Sequence, residues 1–421
     1  MDKVVIEGEV RLKGAVKISG AKNAALPIMA ATLLTDEKCV IKNVPPLRDV
    51  YTMMRILRQL GVKVHMEDGR VTIEPKGYKG YTAPYKLVST MRASFCVLGP
   101  ILAKLKQAQI SLPGGCIIGP RPVDLHLKGI KSLGADLKIE HGYVIANAKQ
   151  LKGAHVYLGG AFGSSVLATA NVMMAATLAK GKTLIENAAC EPEIVDLAES
   201  LIKMGAKIKG ARTHLIEVEG VKTLGGLEHE IIPDRIEAGT YMIAAAMTKG
   251  DITIKNARYE HLGAIIDKLQ EAGVIITRHG KDLRVRILRS LKPVDVTTLP
   301  YPGFPTDMQA QMMALMTITD GISVITEKIY PDRFMHVSEL NRMGAKIMLE
   351  GNSAIVKGVK QLSGAPVMAS DLRASAALVL AGLVAKGKTD ISRVYHLDRG
   401  YEKMEEKLSA LGANICREKE D

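Results

Sequence analysis

The sequence predicts an α/β chain made of six copies of one unit of about 70 residues, grouped as two domains of three. Three observations carry this. A pattern of Leu or Ile, a few residues, Gly, then Ala or Val and an apolar strand recurs six times. Its glycines, Gly61, Gly134, Gly205, Gly273, Gly344 and Gly412, lie 73, 71, 68, 71 and 68 residues apart. In the same register, an Ala-rich apolar helix recurs six times behind a small or polar start.

In chain order, an apolar strand at Val4-Val5-Ile6 opens the chain. The apolar helices then start at Ser19-Gly-Ala-Lys22-Asn23, Ser89-Thr-Met-Arg92, Ser164-Ser165-Val166, Asp234-Arg235, Thr306-Asp307 and Ser370-Asp371-Leu-Arg373. Several are apolar nearly all round, so they are expected to be buried. A Gly turn and a strand follow most of them, as in Ala179-Lys-Gly181-Lys-Thr-Leu-Ile and Ala385-Lys-Gly387-Lys-Thr-Asp-Ile. Each glycine of the first pattern closes an amphipathic helix and precedes a strand. No Pro/Ser-rich or low-complexity linker interrupts the series, so the hinge between the two domains is expected to be short.

With 421 residues the chain is long enough for at least two domains. It has no Trp and four Phe, which argues against stacking platforms for bases or sugars. The net charge of +13 comes from Lys and Arg interspersed with Asp and Glu, without a long basic run. That favours small anionic substrates over nucleic acid. The five cysteines, 39, 96, 116, 190 and 416, form no CxxC pair and no His/Cys ligand cluster. Reduced thiols, no metal and a cytoplasmic setting are expected. The first strand follows Met1 almost directly without a signal peptide, and no apolar run reaches membrane-spanning length.

Between Pro113 and Pro122 the chain holds three Gly, three Pro, Cys116 and Arg121. Gly widens and Pro narrows the backbone choices, so this reads as a shaped surface loop. A guanidinium five residues from a thiol favours the thiolate. The stretch fits a lid carrying a reactive cysteine over an anionic substrate. It equally fits a Gly/Pro turn that carries a small apolar Cys.

The helix starts add a second clue. A helix N-terminus offers unpaired N–H groups and partial positive charge, which suit phosphate or carboxylate. Capping explains Ser165, Asp307 and Asp371 there, but not Lys22 or Arg92, since that end disfavours cations. If the starts of both domains face the cleft between them, the cleft becomes an anion trap.

These segments resemble a known family. They are Ser19-Gly-Ala-Lys22-Asn23-Ala-Ala-Leu-Pro27, Leu112-Pro-Gly-Gly-Cys116 with Arg121-Pro122-Val123-Asp124-Leu125-His126, and Asn187-Ala-Ala-Cys-Glu-Pro-Glu-Ile-Val195. Pro302-Gly-Phe-Pro-Thr-Asp307-Met-Gln309, Arg333-Phe-Met-His336, Asp371-Leu-Arg-Ala-Ser375 and Asp398-Arg399-Gly-Tyr401 complete the set. From first strand to last the chain resembles the UDP-N-acetylglucosamine 1-carboxyvinyltransferases, enolpyruvyl transferases that begin peptidoglycan precursor synthesis. The resemblance implies an inside-out α/β barrel pair of six βαβαββ units, with residues 1–21 and 230–421 in one domain and 22–229 in the other. It implies phosphoenolpyruvate and UDP-N-acetylglucosamine as substrates, and neither nucleic acid, membrane nor cofactor.

The resemblance also assigns roles. Cys116 matches the proton donor, which also forms an adduct with phosphoenolpyruvate. Asp307 matches the carboxylate facing the sugar hydroxyl. Lys22, Arg121 and Arg399 match the cations around phosphate and carboxylate. Asn23, Arg92, Arg333, Asp371 and Arg373 match other cleft positions. Arg121 to Leu125 (with Pro122, Val123 and Asp124), Ser165, Val166 and Ile329 match nucleotide-sugar contacts. Arg373 is as readily a structural ion-pair partner as a ligand contact. His126 is expected to orient the loop or simply pack. Cys39, Cys96, Cys190 and Cys416 are expected to be inert. Two features depart from the family: Leu167 stands for a usual Gly, and Gly159-Gly-Ala-Phe-Gly163 looks a few residues longer than usual.

Overall fold

The computed structural model describes residues 2–113, 123–161 and 163–420. Two compact units result, and the chain passes from one to the other at Ser19–Gly20 and at Ile232–Pro233. Residues 20–113, 123–161 and 163–232 make up one unit, and 2–19 with 233–420 the other.

Among the described residues, each unit has three buried helices with three four-stranded sheets around them, an inside-out α/β arrangement. The helices are Lys22–Ala31, Leu98–Leu105 and Val166–Ala176 in the first unit. In the second they are Arg235–Met247, Gln309–Thr317 and Leu372–Val384. Every residue of Gln309–Thr317 is buried. Such helices carry no amphipathic stripe because sheets or other helices cover every side.

All six sheets share one pattern, a parallel pair followed by two antiparallel pairings. In one, Leu227–Glu230 runs parallel to Cys39–Lys42, which pairs antiparallel with Arg70–Glu74, which pairs antiparallel with Lys63–Glu67. In another, Val296–Thr297, Ile322–Thr326, Ser353–Lys357 and Lys346–Glu350 repeat the order. The second unit borrows two strands from the start of the chain. Asp2–Glu7 sits between Lys388–Ser392 and Asn414–Lys419, and Lys13–Lys17 runs beside Asp251–Lys255.

The six repeat glycines have φ of +97, +91, +102, +99, +90 and +97°. This left-handed region is strained for any residue with a Cβ, so the glycines end six amphipathic helices as the sequence pattern predicts. At Gly20 the constraint is space: a Cβ would run into the carbonyl oxygen of Asn43.

Gly159 pairs with Ser164 and Gly160 with Gly163 in a short antiparallel ladder. This ladder lies just before the third buried helix.

Candidate active site

Asp307 lies in a short 3-10 turn, Thr306–Met308, that runs into the Gln309–Thr317 helix. It does not cap that helix. Its Oδ1 accepts from Arg333 Nη1 at 2.8 Å and its Oδ2 from Arg373 Nη2 at 2.9 Å. Both arginine side chains are almost fully buried, while the carboxylate is 27% exposed. Burial pushes the Asp307 carboxyl up, but Arg373 and Arg333 outweigh it and hold it well below the usual carboxylate range. The guanidinium of Arg373 also lies 5.3 Å from the centroid of the Tyr401 ring. In this unit Arg373 is thus an ion-pair partner of Asp307.

Asp371 does cap its helix. Its Oδ1 accepts from the N–H groups of Arg373 at 2.6 Å and Ala374 at 3.0 Å. Asp234 does the same for Arg235–Met247 through Ile236 and Glu237. Ile329 donates its N–H to Glu327 at 2.8 Å. Arg399, half-buried, ends the 3-10 turn Val394–Arg399. Its neighbour Asp398 is held by both terminal nitrogens of Arg417, at 2.6 and 3.0 Å, so the last strand anchors that turn.

In the other unit, Lys22 begins the first buried helix without a side-chain cap and is only 6% exposed. Its Nζ donates to Asp49 Oδ2 at 3.0 Å. Asp49, itself 3% exposed, is in the first turn of Arg48–Gln59. A buried cation at the positive end of a helix needs such a counter-charge. Asn23 is exposed beside it. Pro27 has no N–H, so the Asn23 carbonyl lacks its usual helical partner four residues on.

Arg92 opens the 3-10 turn Arg92–Val97, again without a side-chain cap, and is half-buried. Ser165 caps Val166–Ala176 by accepting from the Ala168 N–H at 3.4 Å; Val166 and Leu167 behind it are half-buried. Val123 precedes the helix Asp124–Ser132, in which Asp124 is exposed and Leu125 half-buried. Cys116, Arg121 and Pro122 lie outside the described residues.

His126 packs, and its environment fixes its proton. Asn171 Oδ1 accepts from the Gly99 N–H at 2.8 Å, so its amide nitrogen is the end facing the Phe95 carbonyl and His126 Nδ1, each 2.9 Å away. Nδ1 therefore accepts and the proton sits on Nε2. Burial first, and Arg92 second, push this imidazole down to about 3, so it is neutral. The Cys39 and Cys96 thiols are buried and pushed up to about 12, so they stay protonated. Cys190 is buried and its thiol is raised too, while Cys416 is exposed on the last strand.

Three residues that hold this arrangement, Asp49, Asn171 and Glu327, have no signature in the sequence. Asp49 reads as an ordinary acid in a helix's first turn, and the partners of the other two are far away in the chain. Among the described residues, no three His, Cys, Asp or Glu side chains are placed to hold a metal ion, and no helix is long and apolar enough to cross a membrane.

The chain matches the family model for EPSP synthase (3-phosphoshikimate 1-carboxyvinyltransferase) over residues 6–408. It is 58% identical over 415 residues, 99% of each chain, to UDP-N-acetylglucosamine 1-carboxyvinyltransferase 1 of Caldanaerobacter subterraneus subsp. tengcongensis. It is 57% identical over 420 residues to the like-named protein of Geotalea uraniireducens and 56% over 422 residues to that of Myxococcus xanthus, covering 100% of each chain. Among solved structures, the enolpyruvyl transferase NikO from Streptomyces tendae superposes with a TM-score of 0.91 at 23% identity, over 100% of this chain and 99% of that one. EPSP synthase from Acinetobacter baumannii gives 0.75 at 19% identity, over 99% of this chain and 100% of that one. These structural likenesses establish the fold, and the full-length sequence relationship establishes the lineage. The chain belongs to the EPSP synthase family, among the UDP-N-acetylglucosamine 1-carboxyvinyltransferases.

Proposed function

We propose that the chain transfers the enolpyruvyl group of phosphoenolpyruvate to the 3-hydroxyl of UDP-N-acetylglucosamine and releases phosphate, at the start of peptidoglycan precursor synthesis. The full-length relationship at 55–58% identity carries this reading. The geometry around Asp307 fits it. Addition requires a proton at the methylene carbon of phosphoenolpyruvate while the sugar hydroxyl attacks the neighbouring carbon, and elimination reverses the proton movement and expels phosphate. Cys116 is the proton donor in this scheme. Asp307 accepts the sugar hydroxyl proton. Two guanidiniums keep it ionised and fix its orientation, one on each oxygen, and each oxygen keeps a lone pair for the sugar hydroxyl. Lys22, Arg121 and Arg399 stabilise the negative charge of the intermediate. Asn23, Arg92, Asp124, Leu125, Ser165, Val166 and Ile329 position the nucleotide sugar.

Phosphate release from phosphoenolpyruvate plus UDP-N-acetylglucosamine tests the proposal. Sustained turnover is expected, and shikimate 3-phosphate in place of the nucleotide sugar should give none. Absence of release with both acceptors would leave a binding protein. Cys116→Ser should abolish covalent labelling by an epoxide phosphonate such as fosfomycin; undiminished labelling would place the reactive thiol elsewhere. Exposed Cys416 is the control thiol, open to general alkylating reagents in both proteins.

A further inference from the structure

Glu327 has no part in the scheme above. It is 0% exposed, directly after the strand Ile322–Thr326. Four donors surround its carboxylate. Oε1 accepts from Thr298 Oγ1 at 2.6 Å, the Ile329 N–H at 2.8 Å and the Tyr330 N–H at 3.0 Å. Oε2 accepts from Thr306 Oγ1 at 2.8 Å.

Both threonine hydroxyls have their direction fixed. Thr298 Oγ1 accepts from the Lys328 N–H at 2.9 Å, and Thr306 Oγ1 accepts from Arg333 Nη1 at 3.0 Å. Each hydroxyl proton therefore points at Glu327. Four donors around one side chain suit a carboxylate, because an amide would turn an NH2 group against one of them. The same Arg333 nitrogen that reaches Thr306 also donates to Asp307 Oδ1. The chain of contacts runs Glu327, Thr306, Arg333, Asp307, all within one unit.

We propose that Glu327 is a positioning residue for the transfer reaction: through Thr306 it seats the guanidinium of Arg333 on Asp307, and through the Ile329 and Tyr330 amides it shapes the loop leading to Arg333. This rests on the role proposed above for Asp307. One corollary is that the Ile329 N–H is already used, so Ile329 meets a nucleotide sugar through its side chain or carbonyl.

The substitution E327Q separates the two links. The amide oxygen keeps the three donors of Oε1, while the NH2 group reverses the bond to Thr306. The expected result in the phosphate-release assay is a kcat about ten- to a hundredfold lower, with KM for UDP-N-acetylglucosamine little changed. The acid limb of kcat/KM should move to higher pH, since a loosened Arg333 leaves Asp307 easier to protonate. The charged groups around this point are Arg333 and Arg373 on Asp307, with Asp371 beside Arg333; His336, beside Asp371 and Arg333, is pushed down to about 4 by burial and is neutral at pH 7.

T306V, which deletes the hydroxyl at nearly constant volume, should reproduce the kcat and pH effects. The double variant should be no worse than either single one. Wild-type kcat and pH profile in E327Q, or losses that multiply in the double variant, would overturn the proposal. Should wild type itself release no phosphate, that failure belongs to the function and not to this link. A carbon-13 NMR titration of the Asp307 carboxyl, assigned with D307N, then decides: an upward move in both variants supports the link and no move refutes it.

Discussion

Asp307→Asn should lower turnover by about three orders of magnitude, the scale of a lost general base, and leave UDP-N-acetylglucosamine affinity within a few-fold of wild type. Rates from phosphate release and affinity from calorimetry check the two halves. Near-normal turnover would remove Asp307 as the base. The same variant has a stability signature. In wild type the carboxylate stands between two buried guanidiniums, at 2.8 and 2.9 Å. Taking away its charge removes the anion hydrogen-bonded to both, at a cost of about 3 kcal/mol, the low end for a broken buried pair because Asp307 is partly exposed. The pH dependence follows from a depressed native pKa. Such a carboxyl contributes its full stability above the unfolded-state value of about 4 and loses it only as pH falls through the lower native value. The gap between wild type and variant in urea midpoint should thus be flat from pH 8 to about 5 and close only below about 4. A gap that closes already near pH 6 would contradict the depressed value.

Asp49→Leu should be the second most damaging change. Lys22 and Asp49 face each other at 3.0 Å with side chains 8% and 5% exposed. Removing the carboxylate deletes a buried ion pair at the end of a helix that already repels the ammonium, at a cost of about 3 kcal/mol. The ammonium loses the contact that orients it, so KM for phosphoenolpyruvate should rise as well. Lys22→Met in the same chain removes the buried charge as well. The double variant should recover most of the lost urea midpoint while remaining inactive. A single variant as stable as wild type would show that the pair contributes nothing.

The architecture was largely legible because it is repeated. A left-handed glycine after each amphipathic helix is a local requirement, visible at one residue and confirmed by five others. Buried helices announce themselves by lacking a polar stripe. The helix starts were legible only in part. Asp371 and Ser165 cap as their residue types suggest, whereas Asp307, an equally plausible cap, gives both oxygens to arginines 26 and 66 residues away. Nothing local distinguishes those two aspartates; the difference is tertiary. For the same reason the ion pair that Arg373 makes with Asp307, 66 residues away, could not be read from the sequence. Glu327 was invisible because its site is assembled from three separate stretches, 298, 306 and 327–330.

The strand Asp2–Glu7, paired on both sides by strands beginning at Lys388 and Asn414, has a consequence for biosynthesis. The described residues of the unit between 20 and 232 are all made before residue 233, so that unit can fold early in synthesis. The apolar Val4-Val5-Ile6 cannot: its partners are made nearly 400 residues later, roughly 20 to 80 s at ordinary elongation rates. For that interval the nascent chain carries a finished domain with a sticky, unmated ribbon ahead of it. Slow translation or an N-terminal fusion that masks this ribbon should therefore alter soluble yield more than specific activity.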